Sequence, residues 1–134
     1  MVTHHTALVY LMVLVSAADG EMTDAELAAI GEIVRTLPVF HDYDRNLLTT
    51  AAEDCAELLA TEGGFDTVLG IIAESLPEQL RETAYVLACD IAAADLHVDQ
   101  EEIRLLEMLR NRLEIDRLAA AAIERSARAR HAKL

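Results

Sequence analysis

The chain has no tryptophan, and its aromatic residues amount to three Tyr and two Phe in 134 positions. A core built from these residues has to be aliphatic, because 53 % of the chain is apolar while only 4 % is aromatic. Proline occurs twice and glycine five times, so breaks in helical pattern are few, and the Ala- and Leu-rich remainder favours helices over a sheet. Two cysteines, Cys55 and Cys89, stand far apart at apolar positions of helical patterns. That spacing excludes a CxxC metal or redox motif and predicts two buried free thiols, as expected in a reducing compartment. Basic residues are nearly missing from the first three quarters: residues 1–102 hold 20 acids against 3 bases. Such a surface repels nucleic acid and anionic lipid. Residues 103–134 reverse the balance, with 4 acids against 8 bases. The cluster Arg125, Arg128, Arg130 and Lys133 either complements the dipole of a terminal helix or meets an acidic partner. No secretory leader is read at the start, where His4 and His5 stand in place of a basic segment. The apolar run from Ala7 to Ala18 is too short to span a bilayer. A cytoplasmic location, with no transmembrane segment, is the expectation.

A length of 134 residues suits one domain with a real core. An internal repeat at an offset of 76 residues organises it. Ala17-Ala18-Asp19 recurs as Ala93-Ala94-Asp95, Glu26 as Glu102, Leu11 as Leu87 and Leu37 as Leu113. The amphipathic stripe Leu27, Ile30, Ile33, Leu37 is echoed by Ile103, Leu106, Leu109, Leu113, with the three- and four-residue spacing of one helix face. The repeat units run from about residue 5 to 40 and from 77 to 116. Each opens with a helix apolar nearly all round, over 6–18 and 77–94, and these two are expected to pack on each other at the centre. Between the units, 44–59 reads as a helix with Leu47, Leu48, Ala51, Ala52, Cys55, Leu58 and Leu59 inward. After the Gly63-Gly64 break, 66–75 reads as a shorter one. A last helix is expected from an N-cap at Asp116, with Leu118, Ala122 and Ile123 inward. The expected fold is all-α, a compact bundle of about seven helices containing two pseudo-symmetric helix–acidic loop–helix units. The basic end, from about residue 125, reads as a dispensable tail.

The acidic loops are Asp19-Gly20-Glu21-Met22-Thr23-Asp24-Ala25-Glu26 and Asp95-Leu96-His97-Val98-Asp99-Gln100-Glu101-Glu102. Thr23 with Glu26, and Asp99 with Glu102, have the spacing of a capping box, with Met22 and Val98 placed as hydrophobic staples. Asp19 and Asp95 close helices, where the dipole disfavours a carboxylate. Either loop N–H groups or a cation compensates them, and both readings stand. Neither loop is an EF-hand: the sixth position is Asp24 or Gln100 and the twelfth Ile30 or Leu106. An all-oxygen site would favour a hard divalent cation. No catalytic set is present: no Glu-x-x-His pair, Ser-His-Asp order or phosphate-binding Gly-rich loop occurs, so no enzyme is expected. Asp90, inside the second buried helix, is either a catalytic carboxylate or the partner of a hydroxyl, an arginine or a helix end.

The motif Ala17-Ala18-Asp19-Gly20-Glu21-Met22-Thr23 with Glu26, echoed by Ala93-Ala94-Asp95 with Glu102, resembles the TerB-like tellurite-resistance family. That family is in turn related to the N-terminal region of a DnaJ-like membrane co-chaperone. The resemblance covers essentially the whole chain and departs at Leu96, where the first copy has Gly20. It implies about seven helices and a role in tellurite and other chemical stress through protein partners at the membrane surface. It also implies a divalent metal held by Asp19, Glu26, Asp95 and Glu102. The alternative is a co-chaperone-like interaction module whose loops serve only as helix caps.

Overall fold

The computed structural model of the chain describes residues 1–17, 22–94 and 100–134, and within them the protein is all-helical. The helices are α1 (His4–Ser16), α2 (Asp24–Thr36), α3 (Leu48–Ala60), α4 (Gly64–Ser75), α5 (Arg81–Ala94), α6 (Gln100–Arg112) and α7 (Arg117–Arg130). Short 3-10 turns precede α3 and α5, so the segments expected as helices from 44 and 77 begin with a tighter turn. Asp44 and Pro77 sit at the starts of those turns.

The centre is α1. Every residue from Ala7 to Ser16 is buried, as all-round apolarity demands. The helix is started by Thr3, whose hydroxyl accepts from the Thr6 N–H. It packs on α5, as expected from the repeat, and also on α3 and α4. Near its N-terminus His5 is drawn under Phe40 and Tyr43, with Nε2 2.9 Å from the Val39 carbonyl and 3.1 Å from Asp42 Oδ1. Two of the five aromatic rings are thus spent on one histidine.

At the α3–α4 junction Gly63 adopts a left-handed φ of 72°, and Gly64 is pressed against the end of α3. The C-terminus of α6 turns by a different device. Glu114 takes φ 55° and the Ile115 N–H reaches back to the Arg110 carbonyl, a Schellman-type closure that returns Ile115 to the core. Asp116 then caps α7, its carboxylate accepting from the N–H groups of Leu118 and Ala119.

Several stripe positions differ from the periodicity. Leu118 is 82 % exposed, Leu47 54 % and Ile103 47 %, and Ala122 is exposed as well. On α7 the inward face is Ala120 and Ala127, with Ile123 half-buried. A cap at Asp116 fixes where the helix starts but not its rotation, and six alanines offer no strong preference. On α6 the buried face is Glu102, Leu105 and Leu109, turned about one residue from the face that the echo of α2 suggested.

The basic end is not a tail. Ala127 is 2 % exposed, and Arg130 binds Asp90 of α5 with His131 close by. Asp90 thus has an arginine partner. Truncation after residue 124 should lower the melting temperature by several degrees, since a loss of 1 kcal/mol shifts Tm by about 4–8 °C in a small domain. Removing only 132–134 should leave it unchanged. Equal melting curves for both truncations would contradict this docking.

The thiols of Cys55 and Cys89 are free and buried. Burial pushes Cys55 up to about 12 and Cys89 up to about 11, so neither is a nucleophile at neutral pH. No helix among the described residues is long and apolar enough to cross a membrane.

Candidate functional site

The two acidic segments fall in the sequence between α1 and α2 and between α5 and α6. Ala17 and Met22 bracket the first, and Ala94 and Gln100 the second; Asp19 and Asp95, with Glu21, His97 and Asp99, lie outside the described residues. What the structure shows is the ground on either side. A cavity of about 460 Å³ is bounded by Val13, Leu14, Ala17 and Met22 from the first junction and by Glu101 and Leu105 from the second, with Leu59 and Phe65 closing it from α3 and α4. The flanks of both segments thus reach one place.

Glu26 is where the capping-box spacing put it. Its Oε1 accepts from the Thr23 N–H at 2.9 Å, and the Thr23 hydroxyl accepts from the Glu26 N–H at 3.1 Å. This reciprocal pair satisfies two N–H groups that the first turn of α2 leaves open. Met22 is half-buried beside it. Glu102 differs: it occupies the same place in α6 but is only 7 % exposed. Its Asp99 cap partner lies outside the described residues. The repeat therefore conserves the residue type and changes its setting, because the rotation of α6 carries position 102 inward.

The chemistry on offer is hard oxygen. Glu101 and Glu102 open α6, and Ser16, the last residue of α1, buries a hydroxyl with no hydrogen-bond partner among the described residues. Carboxylate and hydroxyl oxygens are donor types that a hard divalent cation takes. Among the described residues no three His, Cys, Asp or Glu side chains are grouped closely enough to hold a metal. Any complete site therefore needs ligands from the two loop segments.

A second polar cluster escaped the sequence reading. The Tyr85 hydroxyl donates to Glu124 Oε2 at 2.7 Å, and Arg110 reaches the same oxygen at 3.5 Å, linking α5, α6 and α7. Burial, then the bond to Glu124, raises the Tyr85 phenol well above its usual range. The three residues are 25 and 14 positions apart, so only the tertiary fold brings them together. The one legible hint was a lone tyrosine in a helix with no other aromatic residue.

No curated protein and no solved structure matches the chain. A family model does: that of the tellurite resistance protein TerB, over residues 5–125. The match spans both helix–acidic loop–helix units and stops within α7. The chain belongs to the TerB family.

Proposed function

We propose that the protein is a stress-response module of the tellurite-resistance type that binds a divalent cation through its two acidic loops. Asp19 and Glu26 serve from the first loop and Asp95 and Glu102 from the second. The observation that carries this reading is the shared cavity at the two loop junctions. It puts the flanks of both segments beside one another in the part of the chain where acids outnumber bases by 20 to 3. Gathering carboxylates there is costly by mutual repulsion, and a cation offsets that cost. The reading involves no catalytic step and places the protein in the cytoplasm, working with protein partners at the membrane surface.

The Thr23–Glu26 capping box favours a second reading for the first loop, in which it is a helix cap within an interaction module. The two readings separate in a melting experiment. A cation at 100 times its Kd should add about 2.7 kcal/mol when only the native state binds it. Glu102→Gln and Asp95→Asn should abolish that rise while leaving stability in chelator nearly unchanged. Glu26→Gln, which still serves the cap, reports whether the first loop contributes charge to the site. Wild-type protein that shows neither heat on titration nor a thermal shift with calcium, magnesium, manganese or zinc would retire the cation and leave the interaction module.

A further inference from the structure

The two repeat units border cavities of different electrical character. In the second unit a cavity of about 310 Å³ between α5, α6 and α7 balances its own charges: Arg110 and Arg128 line it together with Glu107 and Glu124, and Arg110 reaches Glu124 at 3.5 Å. The cavity of about 460 Å³ at the loop junctions is its counterpart in the first unit. Val13 and Ala17 line it, and Cys89 and Ala93, 76 residues on, line the other. Its walls are apolar, with Leu14, Leu59, Phe65 and Leu105, while Ala17, Ala56 and Ala60 are too small to fill it. Glu101 is the one charged side chain among the described residues that line it. Apart from Glu101 and Leu105, every lining residue belongs to 1–34 or 46–80, and neither stretch contains a Lys or Arg. Arg104, the first base of α6, does not line the cavity. Asp24, Glu57 and Glu62 are exposed within two residues of a lining position, so carboxylates of α2, α3 and the α3–α4 turn join Glu101 around it.

We propose that the cavity at the loop junctions is a docking site for a basic amphipathic segment of a partner protein. The segment inserts an apolar side chain between α1, α3 and α6 and sets its Lys or Arg side chains on the acidic surround. The repeat points the same way. Counted from the aspartates that start the two closing segments, Asp44 and Asp116, Ala56 stands where α7 has Arg128. The second unit thus lines its cavity with a cation on an aliphatic stem where the first has a methyl group. Carboxylates on separate elements call for several cations along one backbone, which a single-headed amphiphile does not carry. Burial of the apolar anchor supplies affinity, and the surrounding charges supply orientation and encounter rate. The proposal rests on the reading of the protein as one that acts through protein partners, and not on the cation.

The probe is a fluorescently labelled amphipathic peptide of Leu and Lys, added to the intact protein in chelator. Its failure is then separate from any outcome of the cation titrations. Saturable binding is expected by anisotropy, weakening with salt, with amide shifts at Leu14, Phe65 and Leu105. A copy of the peptide with Glu in place of Lys should not bind. Ala56→Arg and Glu101→Lys, both at exposed positions, should each weaken binding at least tenfold while the melting curve stays that of wild type. Glu78→Lys makes the same charge change as Glu101→Lys just before α5 begins, at the end of that helix away from the loops, and should leave the affinity within twofold. Absence of saturable binding overturns the proposal, as does equal binding of the Glu copy. An effect of Glu78→Lys as large as that of Glu101→Lys reduces the binding to general charge attraction and overturns it as well. A wild-type dimer that Ala56→Arg dissolves assigns the cavity to a second copy of the chain, again against the proposal.

Discussion

Gly64→Ala should destabilise the protein by about 1–3 kcal/mol or more, the range for forcing atoms into a packed site. A Cβ at this position would stand 1.9 Å from the Leu58 carbonyl oxygen, 2.9 Å from its carbon and 3.0 Å from Leu59 Cα. All three are backbone atoms of α3, so no side chain can swing aside, and the α3–α4 turn has to open. Both helices lie on α1, so the displacement is passed to the centre of the fold. The neighbouring glycine is a control of a different kind. A Cβ at Gly63 meets nothing within 4 Å, so Gly63→Ala carries only the cost of its positive φ, about 1–2 kcal/mol. Urea midpoints at unchanged slope measure both. A Gly64→Ala protein as stable as wild type would mean that the close approach of α4 to α3 is not needed.

The second large effect lies in the paired central helices. Leu11 and Leu87, 76 residues apart, are both 0 % exposed. Truncating either to alanine should cost about 2–5 kcal/mol, the sum of lost transfer energy and the cavity left behind. Domains of this size have only about 5–15 kcal/mol of net stability, so the double variant should be largely unfolded at 37 °C. Leu118→Ala, at a position 82 % exposed, should change stability by less than about 0.5 kcal/mol. Denaturant titration followed by circular dichroism distinguishes these outcomes. A loss below 1 kcal/mol at Leu11 would contradict its place in the centre.

What the sequence revealed follows from the kind of signal involved. All-round apolarity has one physical solution, burial on every side, and α1 obeys it. Local caps were also legible: Thr23 with Glu26, and Asp116, are contacts between residues two or three apart, set by chemistry within one turn. Rotation of a helix about its axis was not. The faces of α6 and α7 depend on what covers them, and with alanine at six positions of α7 the pattern fixes no direction. Leu118 and Ile103 were accordingly placed inward and lie outward. The Tyr85–Glu124–Arg110 cluster joins three helices and has no local signature. Of the four proposed ligands, Glu26 and Glu102 are placed by the structure, in two different settings that identical residue type could not have foretold. Asp19 and Asp95 lie outside the described residues.

Helix α7 is attached to the rest by unusual means for a terminal helix. Its fully buried side chains are two alanines, and its grip on α5 comes from Glu124 at Tyr85 and Arg130 at Asp90. Alanines contribute little transfer energy, and partly exposed ion pairs are screened by salt. This helix is therefore expected at the low end of the local stability scale, opening at a lower free energy than α1 and α5. Cys89 faces it, beside Glu124 and Arg128, whereas the Cys55 thiol points to the Tyr10 carbonyl in the middle of the bundle. The two thiols, alike in burial and both raised in pKa, are thus expected to answer to different clocks. Thiol labelling is expected to reach Cys89 through local opening of α7 and Cys55 through global unfolding.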